Sequence, residues 1–291
     1  MESIVFEPPA SQDRASEKLS IRRRRPLLPW IIFGFAIIVV FAIVQALVLA
    51  PTISWAVVGT YLFAPPVITG LRTTIVLSVI SMAIGIVLGT FIGLARMSKN
   101  RLLSSMAHGY IMLFRGIPVL VQLLIWGNIG LIVKNITFGI PLTSIEFFSM
   151  STNQLINPFT AAVVGLALHE AAYVSEIVRS GILSVDRGQL EAASALGMTP
   201  ARTTRRIILP QALRVMIPPT GNQFVTLIKG TSLVSVIAGG DLLTQTQNIA
   251  ATSYRVIEML AVASFWYLIL VGIATQAQSL LEKRVSKGVR A

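Results

Sequence analysis

Two groups of polar side chains interrupt apolar stretches of the sequence, and they are the residues that could do chemistry. The first group is His169 and Glu170 in the stretch 158–178, with Tyr173 one helical turn beyond Glu170. A charge at the middle of a lipid bilayer costs roughly 2.5–3.5 kcal/mol, so it usually faces a cavity or a partner. Glu170 could therefore accept an ammonium group or a basic side chain from a substrate. Two structural interpretations stay open, an ion pair with Arg115 and a position at a helix end near the membrane surface.

The second group lies in the apolar stretch 215–237. If Gly230 breaks a helix here, the half-helix ends could bind a zwitterion, and Lys229 could take its carboxylate. The alternative is structural, because amide and hydroxyl side chains, here including Thr226, commonly bridge neighbouring membrane helices. The residues predicted to line a substrate pathway are His169, Glu170, Tyr173, Asn222, Gln223, Lys229, Thr231 and Ser232.

Several kinds of catalytic machinery are absent from the sequence. None of its lysines follows a glycine, so it contains no G-x-x-x-x-G-K-S/T phosphate loop. Its two histidines cannot form a multi-histidine metal site, and it has no cysteine for thiol or disulfide chemistry. We therefore expect no cofactor, no metal and no ATP hydrolysis by this chain. An active process would need a partner subunit that binds the nucleotide.

The composition is that of a membrane protein. Of the 291 residues, 54% are hydrophobic and 12% are charged, and the mean hydropathy is +0.76. Soluble globular domains carry about 25% charged residues. The net charge of +12 could also suit nucleic acid, but the basic residues lie beside hydrophobic stretches. Charge that orients the chain in a membrane explains them better, so no nucleic-acid partner is expected.

Six stretches are apolar and long enough to cross a bilayer, so we predict an all-α, polytopic membrane helix bundle. The six stretches are residues 30–50, 65–95, 107–133, 158–178, 215–237 and 256–281. The first could instead be a signal peptide, because Val48-Leu49-Ala50 loosely fits a cleavage site. Its apolar run exceeds the roughly 7–15 residues of a signal-peptide core, which favours a retained span. Residues 51–64, 134–157 and 241–255 are predicted to be polar or irregular connections.

Glycines and prolines modify three of these spans. Gly85, Gly89 and Gly93 recur at four-residue spacing, so one face of the second span is bare backbone and permits close helix packing. In the third span, residues 116–118 (Gly-Ile-Pro) predict a kink or interruption. In the fifth, we expect the prolines at 218–219 to start the span and Gly230 to interrupt it.

The distribution of basic residues predicts the orientation of the chain. With the N-terminus in the cytoplasm, the cytoplasmic segments hold 19 of the 24 Lys and Arg residues. Six lie in the tail 1–29, three in 96–101, six in 179–214 and four at the C-terminal end. The positive-inside rule therefore predicts that both termini and residues 184–214 are cytoplasmic.

The polar stretch 184–219 is predicted to contain two short helices. Asp186 can cap the first helix, residues 189–196, with Gln189 in the capping-box position. Gly197 stops this helix in the usual C′ manner. Thr199 then caps a second helix, which has proline at its first position. Pro210 is expected to end that second helix.

The same stretch carries a family resemblance. Glu191-Ala192-Ala193, then Gly197, then Ile208-Leu209-Pro210, resemble the EAA loop of ABC importer permeases, within a likeness that covers roughly residues 65–284. Flanking segments are similar to the subgroup that imports polar amino acids. These segments are Arg115-Gly116-Ile117-Pro118 with Gln122, Ala172-Tyr173, Glu176, Arg179-Ser180-Gly181-Ile182, Gly188-Gln189, Pro210-Gln211-Ala212 and Lys229-Gly230-Thr231-Ser232-Leu233. One departure is Gly230, where that family usually has an aspartate.

The resemblance implies that helix 189–196 sits in a groove of a separate ATPase subunit and converts its closure into tilting of the spans. The residues it assigns to this coupling are Gln189, Glu191, Ala192, Ala193, Gly197 and Pro210. It divides the chain into a cytoplasmic basic tail (1–29), an extra N-terminal span (30–50) and a transport domain (65–284) that contains the cytoplasmic coupling loop 184–214.

The resemblance also implies a complex in a bacterial inner membrane. Its expected members are two copies of the ATP-binding subunit, a second permease subunit that is a copy of this chain or a relative, and an extracytoplasmic solute-binding protein. Its substrate would be a polar amino acid, which crosses the membrane by alternating access.

Two other functions remain open from the sequence. A secondary transporter or channel subunit driven by an ion gradient could use Glu170, His169 and Lys229 as a proton relay. The missing inverted repeat and the coupling stretch argue against it. An ABC importer for a sugar, an opine or a metal chelate is the other alternative, and the motifs outside the EAA loop argue against that cargo.

Overall fold

A computed structural model describes residues 27–50, 53–139 and 146–286 of the chain. Most of the predicted tail 1–29, and the C-terminal residues 287–291, lie outside these ranges. The chain divides into two compact units, Met1–Ile53 and Ser54–Ala291. In the first unit the described element is helix α1 (Leu27–Val48), whose described side chains are almost all apolar and exposed. A helix that is apolar on every side is typical of a membrane span.

The second unit consists of helices and one small β ribbon. Its elements are α2 (Trp55–Tyr61), α3 (Pro65–Arg96), α4 (Arg101–Gly116), α5 (Val119–Gly127), α6 (Ile129–Ile132), β1 (Asn135–Gly139), β2 (Glu146–Ser151), α7 (Thr152–Leu155), α8 (Pro158–Leu183), α9 (Arg187–Ala195), α10 (Pro200–Thr203), α11 (Leu209–Gly230), α12 (Leu242–Ser253) and α13 (Val256–Ser286). A π-helical turn (Thr204–Ile208) joins α10 to α11, and a 3₁₀ segment (Thr231–Ile237) follows α11.

The lengths and hydropathies of these helices agree with the predicted spans. Four helices, α1, α3, α8 and α13, are long and apolar enough to cross a membrane, and two bent helix pairs raise the number to as many as six in the described ranges. The pair α4–α5 bends by 98°, which confirms the predicted interruption at residues 116–118. The all-α membrane bundle is therefore confirmed.

Gly85, Gly89 and Gly93 of α3 pack directly on α8, and we call this contact the glycine seam. At each of the three glycines, an added Cβ would lie 2.7–2.8 Å from an atom of α8. The nearest α8 residues are Glu170 at Gly85, Val174 at Gly89, and Ser175 with Val178 at Gly93. The predicted close packing is confirmed. Because the partner numbers rise together, α3 and α8 run parallel, and their last residues, Arg96 and Leu183, lie towards the same side.

Two clusters of buried apolar side chains form the core of this unit. One joins α3, α5, α8, α11 and the 3₁₀ segment, with Leu77, Leu123, Leu166, Leu227 and Val234 at its centre. The other joins α2, α3, α12 and α13. The bent helices α5 and α12 are therefore held by the same cores as the long spans.

Three stretches predicted to be irregular contain regular elements. Residues 134–157 include β1 and β2, which pair antiparallel with Ile136 opposite Met150. Residues 241–255 include α12, which Asp241 caps by accepting the Leu243 backbone N–H at 3.0 Å. Residues 51–64 include α2, which packs beside α13.

The prolines of the fifth span do not act as predicted. Pro210 lies in the first turn of α11 after the π-helical turn, so the helical path continues through it. The prolines at 218 and 219 lie inside α11 instead of starting it. Gly230 marks a change to 3₁₀ geometry and is not a break, since its φ is −62° and its ψ is −25°. Neighbouring helices compensate for lost backbone bonds in a membrane bundle, which is why proline is tolerated there.

Adding a methyl group to the glycine seam should destabilise the protein. We expect Gly89→Ala to lower the free energy of unfolding by about 1–3 kcal/mol, because its Cβ would meet Val174 Cβ at 2.7 Å and the Ala171 carbonyl oxygen at 2.8 Å. Gly109→Ala in α4 is the matched control, since nothing lies within 4 Å of its Cβ. Thermal unfolding of the purified proteins in detergent measures the stability of both variants. Equal unfolding midpoints for Gly89→Ala and Gly109→Ala would contradict the close packing at the glycine seam.

Candidate functional site

Helix α9 is an exposed helix whose ends are fixed by local interactions. Asp186 accepts the backbone N–H of Gly188 at 2.8 Å, which confirms the predicted cap. The predicted capping box is wrong, because Gln189 Oε1 instead accepts the side-chain amide of Gln211 at 2.5 Å. Ala193 is the buried residue of α9, and Glu191 and Ala192 are exposed. Most of the surface of the helix is therefore exposed.

Gly197 ends α9 as predicted. Its φ is +67°, in the left-handed region that favours glycine. Its N–H donates to Ser194 O and the N–H of Met198 donates to Ala193 O, both at 3.0 Å. These two bonds are the Schellman arrangement, which satisfies the last carbonyls of the helix. An added Cβ at Gly197 would meet no atom within 4 Å, so within this chain the glycine is required for its backbone angle.

The segment after α9 is strongly basic and joins α9 to a membrane span. Thr199 precedes α10 as predicted, but its side chain makes no capping bond. Exposed arginines at 202, 205 and 206 line a groove of about 610 Å³ together with Thr199 and Ala201. Beyond it, the side chain of Gln211 donates to Ile207 O at 3.0 Å. A basic surface therefore follows α9 in the chain.

A second site is centred on Glu170, in the middle of α8. Glu170 is only 2% exposed, and its stem lies against Gly85 of α3. The side chain of Gln223, from α11, lies near its carboxylate. The structure thus brings Glu170, from the first predicted polar group, close to Gln223, from the second. Among the described residues, Glu170 Oε2 has no hydrogen-bond partner, so an acceptor is left open in a buried position. The arrangement can bind a cationic group.

His169 and Tyr173 lie beside Glu170 and contact each other. Their ring centroids are 4.9 Å apart. The guanidinium carbon of Arg115 lies 5.1 Å from the centre of the Tyr173 ring, a cation–π contact. Arg115 therefore stacks on Tyr173 and, within the described ranges, forms no ion pair with Glu170. The mid-helix position of Glu170 also excludes the helix-end interpretation.

The remaining predicted pathway residues lie along α11 and the 3₁₀ segment. Hydroxyl groups of Thr226, Thr231 and Ser232 donate to backbone carbonyls three or four residues earlier, at 2.6–3.0 Å. Asn222 Oδ1 accepts the side chain of Gln278 at 2.7 Å, a bridge between α11 and α13. Lys229 is exposed and forms no ion pair in the part of the chain that the structure describes. Since the helix does not break at Gly230, no half-helix ends form there.

A polar groove runs beside the Glu170 site. It has a volume of about 570 Å³, and its polar lining is Arg96, His108, Arg115, Tyr173, Glu176 and Arg179. Glu176 and Arg179 form the predicted ion pair at 2.9 Å. The groove therefore contains three arginines and the ring of Tyr173. One of the arginines, Arg179, is paired with Glu176.

Gln122 holds the bend between α4 and α5, a role that the sequence did not reveal. Its side-chain amide donates to Phe114 O at 2.9 Å and to Ile117 O at 2.8 Å, and it lies 3.2 Å from His169 Nδ1. It is 4% exposed. Backbone carbonyls freed by a bend need donors inside a membrane. The signal in the sequence was an amide in an apolar run shortly after the break.

Comparisons with known proteins identify the class. Residues 85–287 match the family described as binding-protein-dependent transport system inner membrane component. The chain belongs to this family, whose members are multi-pass permease subunits of ABC importers in the inner membrane. Such permeases work with a separate ATPase, a further permease subunit and a binding protein. A transporter driven by an ion gradient is not favoured.

Individual relatives are amino acid permeases. The arginine transport system permease protein ArgU of Corynebacterium glutamicum is 43% identical over 235 residues, which cover 80% of this chain and 72% of ArgU. The glutamine transport system permease protein GlnP of Escherichia coli is 37% identical over 222 residues, 76% of this chain and 93% of GlnP. A crystal structure of an amino acid ABC transporter with histidines aligns with a TM-score of 0.69 at 35% identity, over 80% of this chain and 99% of the other.

Removing the donors of Gln122 should destabilise the bend. We expect Gln122→Met to lower the free energy of unfolding by about 1–3 kcal/mol, because the Phe114 and Ile117 carbonyls lose their side-chain donor. Gln247→Met, at an exposed glutamine of α12, should have no such effect. Thermal unfolding in detergent measures the difference. Equal stability of the two variants would show that other groups satisfy the carbonyls.

Proposed function

We propose that this chain is the permease subunit that carries a polar amino acid through a bacterial inner membrane by alternating access. The observation that carries the proposal is the buried Glu170 carboxylate, which lies near Gln223 and whose Oε2 is unpartnered among the described residues. An unpartnered carboxylate inside a bilayer is costly unless a cationic group binds to it. The names of ArgU and GlnP, relatives that transport arginine and glutamine, support a polar amino acid.

In this proposal ATP is hydrolysed by a partner subunit, and α9 is the element that docks on it. The exposed surface of α9, its locally fixed ends and the carboxylate of Glu191 suit a helix that inserts into a groove. The coupling residues are Gln189, Glu191, Ala192, Ala193, Gly197 and Pro210. Closure of the ATPases would move α9, and the spans attached to it would open the pathway outward.

The assembly in this proposal contains two permease subunits, two ATPase subunits and one extracytoplasmic binding protein. Both termini lie in the cytoplasm, which agrees with the basic residues at 96–101 and 179–214. The parallel packing of α3 and α8 supports the same topology, because it directs Arg96 and Arg179 to one side. Residues 65–284 form the transport domain, and residues 30–50 add a span before it.

Substrate recognition in this proposal centres on Glu170, which receives a cationic group of the amino acid. Gln223 orients the carboxylate, and His169 and Tyr173 form an aromatic wall beside it. Lys229, exposed on the same helix as Gln223, is available for the substrate carboxylate. The other pathway residues are Asn222, Thr231 and Ser232, whose polar groups already bond within the chain.

Loss of docking tests the importer mechanism. The tagged chain, co-expressed with the ATPase encoded nearest to it, should retain that ATPase in a pull-down, and Gly197→Asp should lose it. A side chain at Gly197 strains the left-handed turn and adds a charge beside α9. Thr199→Asp is the control, since it adds the same charge at a cap position where aspartate is favoured.

Two results would contradict the docking assignment. One is normal ATP-dependent uptake by Gly197→Asp. The other is failure of the wild type to retain an ATPase while it still moves substrate in response to a proton gradient, which would support a secondary transporter instead.

Charge removal at Glu170 tests the substrate site. Glu170→Gln should weaken uptake of arginine or lysine by about tenfold or more, because a charge-assisted hydrogen bond contributes about 1.5–3 kcal/mol. Uptake of glutamine should change by less than about twofold. Glu282→Gln on α13 is the control for loss of a negative charge. Competition uptake in proteoliposomes measures all three, and equal losses for cationic and neutral substrates would argue for a structural role of Glu170.

A further inference from the structure

Helix α9 is joined to the membrane span α11 by a side-chain hydrogen bond. Among the described elements it has no extensive packing partner, and its ends continue into the short connections to α8 and α10. The connection is the hydrogen bond from Gln211 Nε2 to Gln189 Oε1, at 2.5 Å. Motion of a docking helix reaches the spans only through groups that move with it.

Gln211 is also fixed to its own helix. The same Nε2 donates to Ile207 O at 3.0 Å, in the π-helical turn that precedes Pro210. Both hydrogens of this amide are therefore used. The bond to Ile207 O orients the side chain, and the other N–H donates to Gln189 of α9. The amide therefore joins the docking helix to the base of α11.

Helix α11 leads from this contact to the buried site. Gln211 and Gln223 lie twelve residues apart in α11, which is about 18 Å along a helix. Gln223 lies near the Glu170 carboxylate. Helix α11 thus connects the Gln211 contact with α9 to the neighbourhood of Glu170.

We propose that Gln211 is a positioning residue that makes α9 and α11 move together, so that closure of the ATPases is transmitted to the Glu170 site. This inference rests on the proposed importer function. It assigns no contact with substrate or nucleotide to Gln211. Docking buries the amide pair away from water, and hydrogen bonds are stronger where water is excluded.

Two variants separate the donor from the shape of the side chain. Gln211→Met keeps the length of glutamine and has no donor, whereas Gln211→Lys, one atom longer, keeps donors that can reach both oxygens. In proteoliposomes with the ATPase, Gln211→Met should lower transport per ATP hydrolysed by about five- to tenfold, and Gln211→Lys should restore at least half of it. Retention of the ATPase should stay within about twofold. Gln247→Met is the matched control.

A double variant tests whether Gln189 and Gln211 act through their shared bond. If they do, Gln189→Met combined with Gln211→Met should lose no more transport per ATP than the worse single variant. Losses that multiply would overturn the proposal. Unchanged transport per ATP in Gln211→Met, or loss of the ATPase from that variant, would overturn it as well.

A distance measurement decides the inference even if the proposed function fails. The chain has no cysteine, so spin labels can be placed at Ala195→Cys in α9 and Val215→Cys in α11. The distance distribution should be narrow with Gln211 and at least about twofold broader with Gln211→Met. Equal widths would overturn the inference, whereas absence of ATP-dependent uptake by the wild type would count against the importer function alone.

Discussion

Every polar group inside the bilayer must be satisfied by the protein itself, and the glycine seam between α3 and α8 is where this constraint shapes the fold. Small residues let two backbones approach closely when lipid offers no hydrophobic driving force between helices. The seam runs the two helices parallel and lays the stem of Glu170 over Gly85. The position of the buried carboxylate thus follows from the packing of glycine.

The same constraint explains how side chains are used elsewhere in the bundle. Gln122 satisfies carbonyls at the bend between α4 and α5, and hydroxyl groups along α11 donate back to their own helix. Among the described residues, four buried side-chain oxygens remain without a partner, on Ser81, Gln122, Thr152 and Glu170, and only that of Glu170 belongs to a carboxylate. A group that the fold leaves unsatisfied is a better candidate for binding than one that already bonds within the chain.

Helix α9 is mostly exposed, so local interactions have to stabilise its shape. Its cap at Asp186 and its Schellman ending at Gly197 are local interactions, so the helix is preformed before a partner binds. Preorganisation lowers the entropy lost on docking. A preformed helix that is hydrogen-bonded to α11 suits the proposed transmission of motion.

The sequence by itself determined the membrane class, the approximate spans, the caps of α9 and the glycine seam, because hydropathy, charge bias and the backbone freedom of glycine are local properties. Only the tertiary structure decided that the chain stays helical through Pro210 and Pro218, that α12 is a helix, and that Gln223 meets Glu170. Proline and glycine are classed as helix breakers from their behaviour in water, but packing in a membrane bundle compensates for the backbone hydrogen bonds that they lose. Side-chain partners on different helices depend on how those helices pack, which no local pattern encodes.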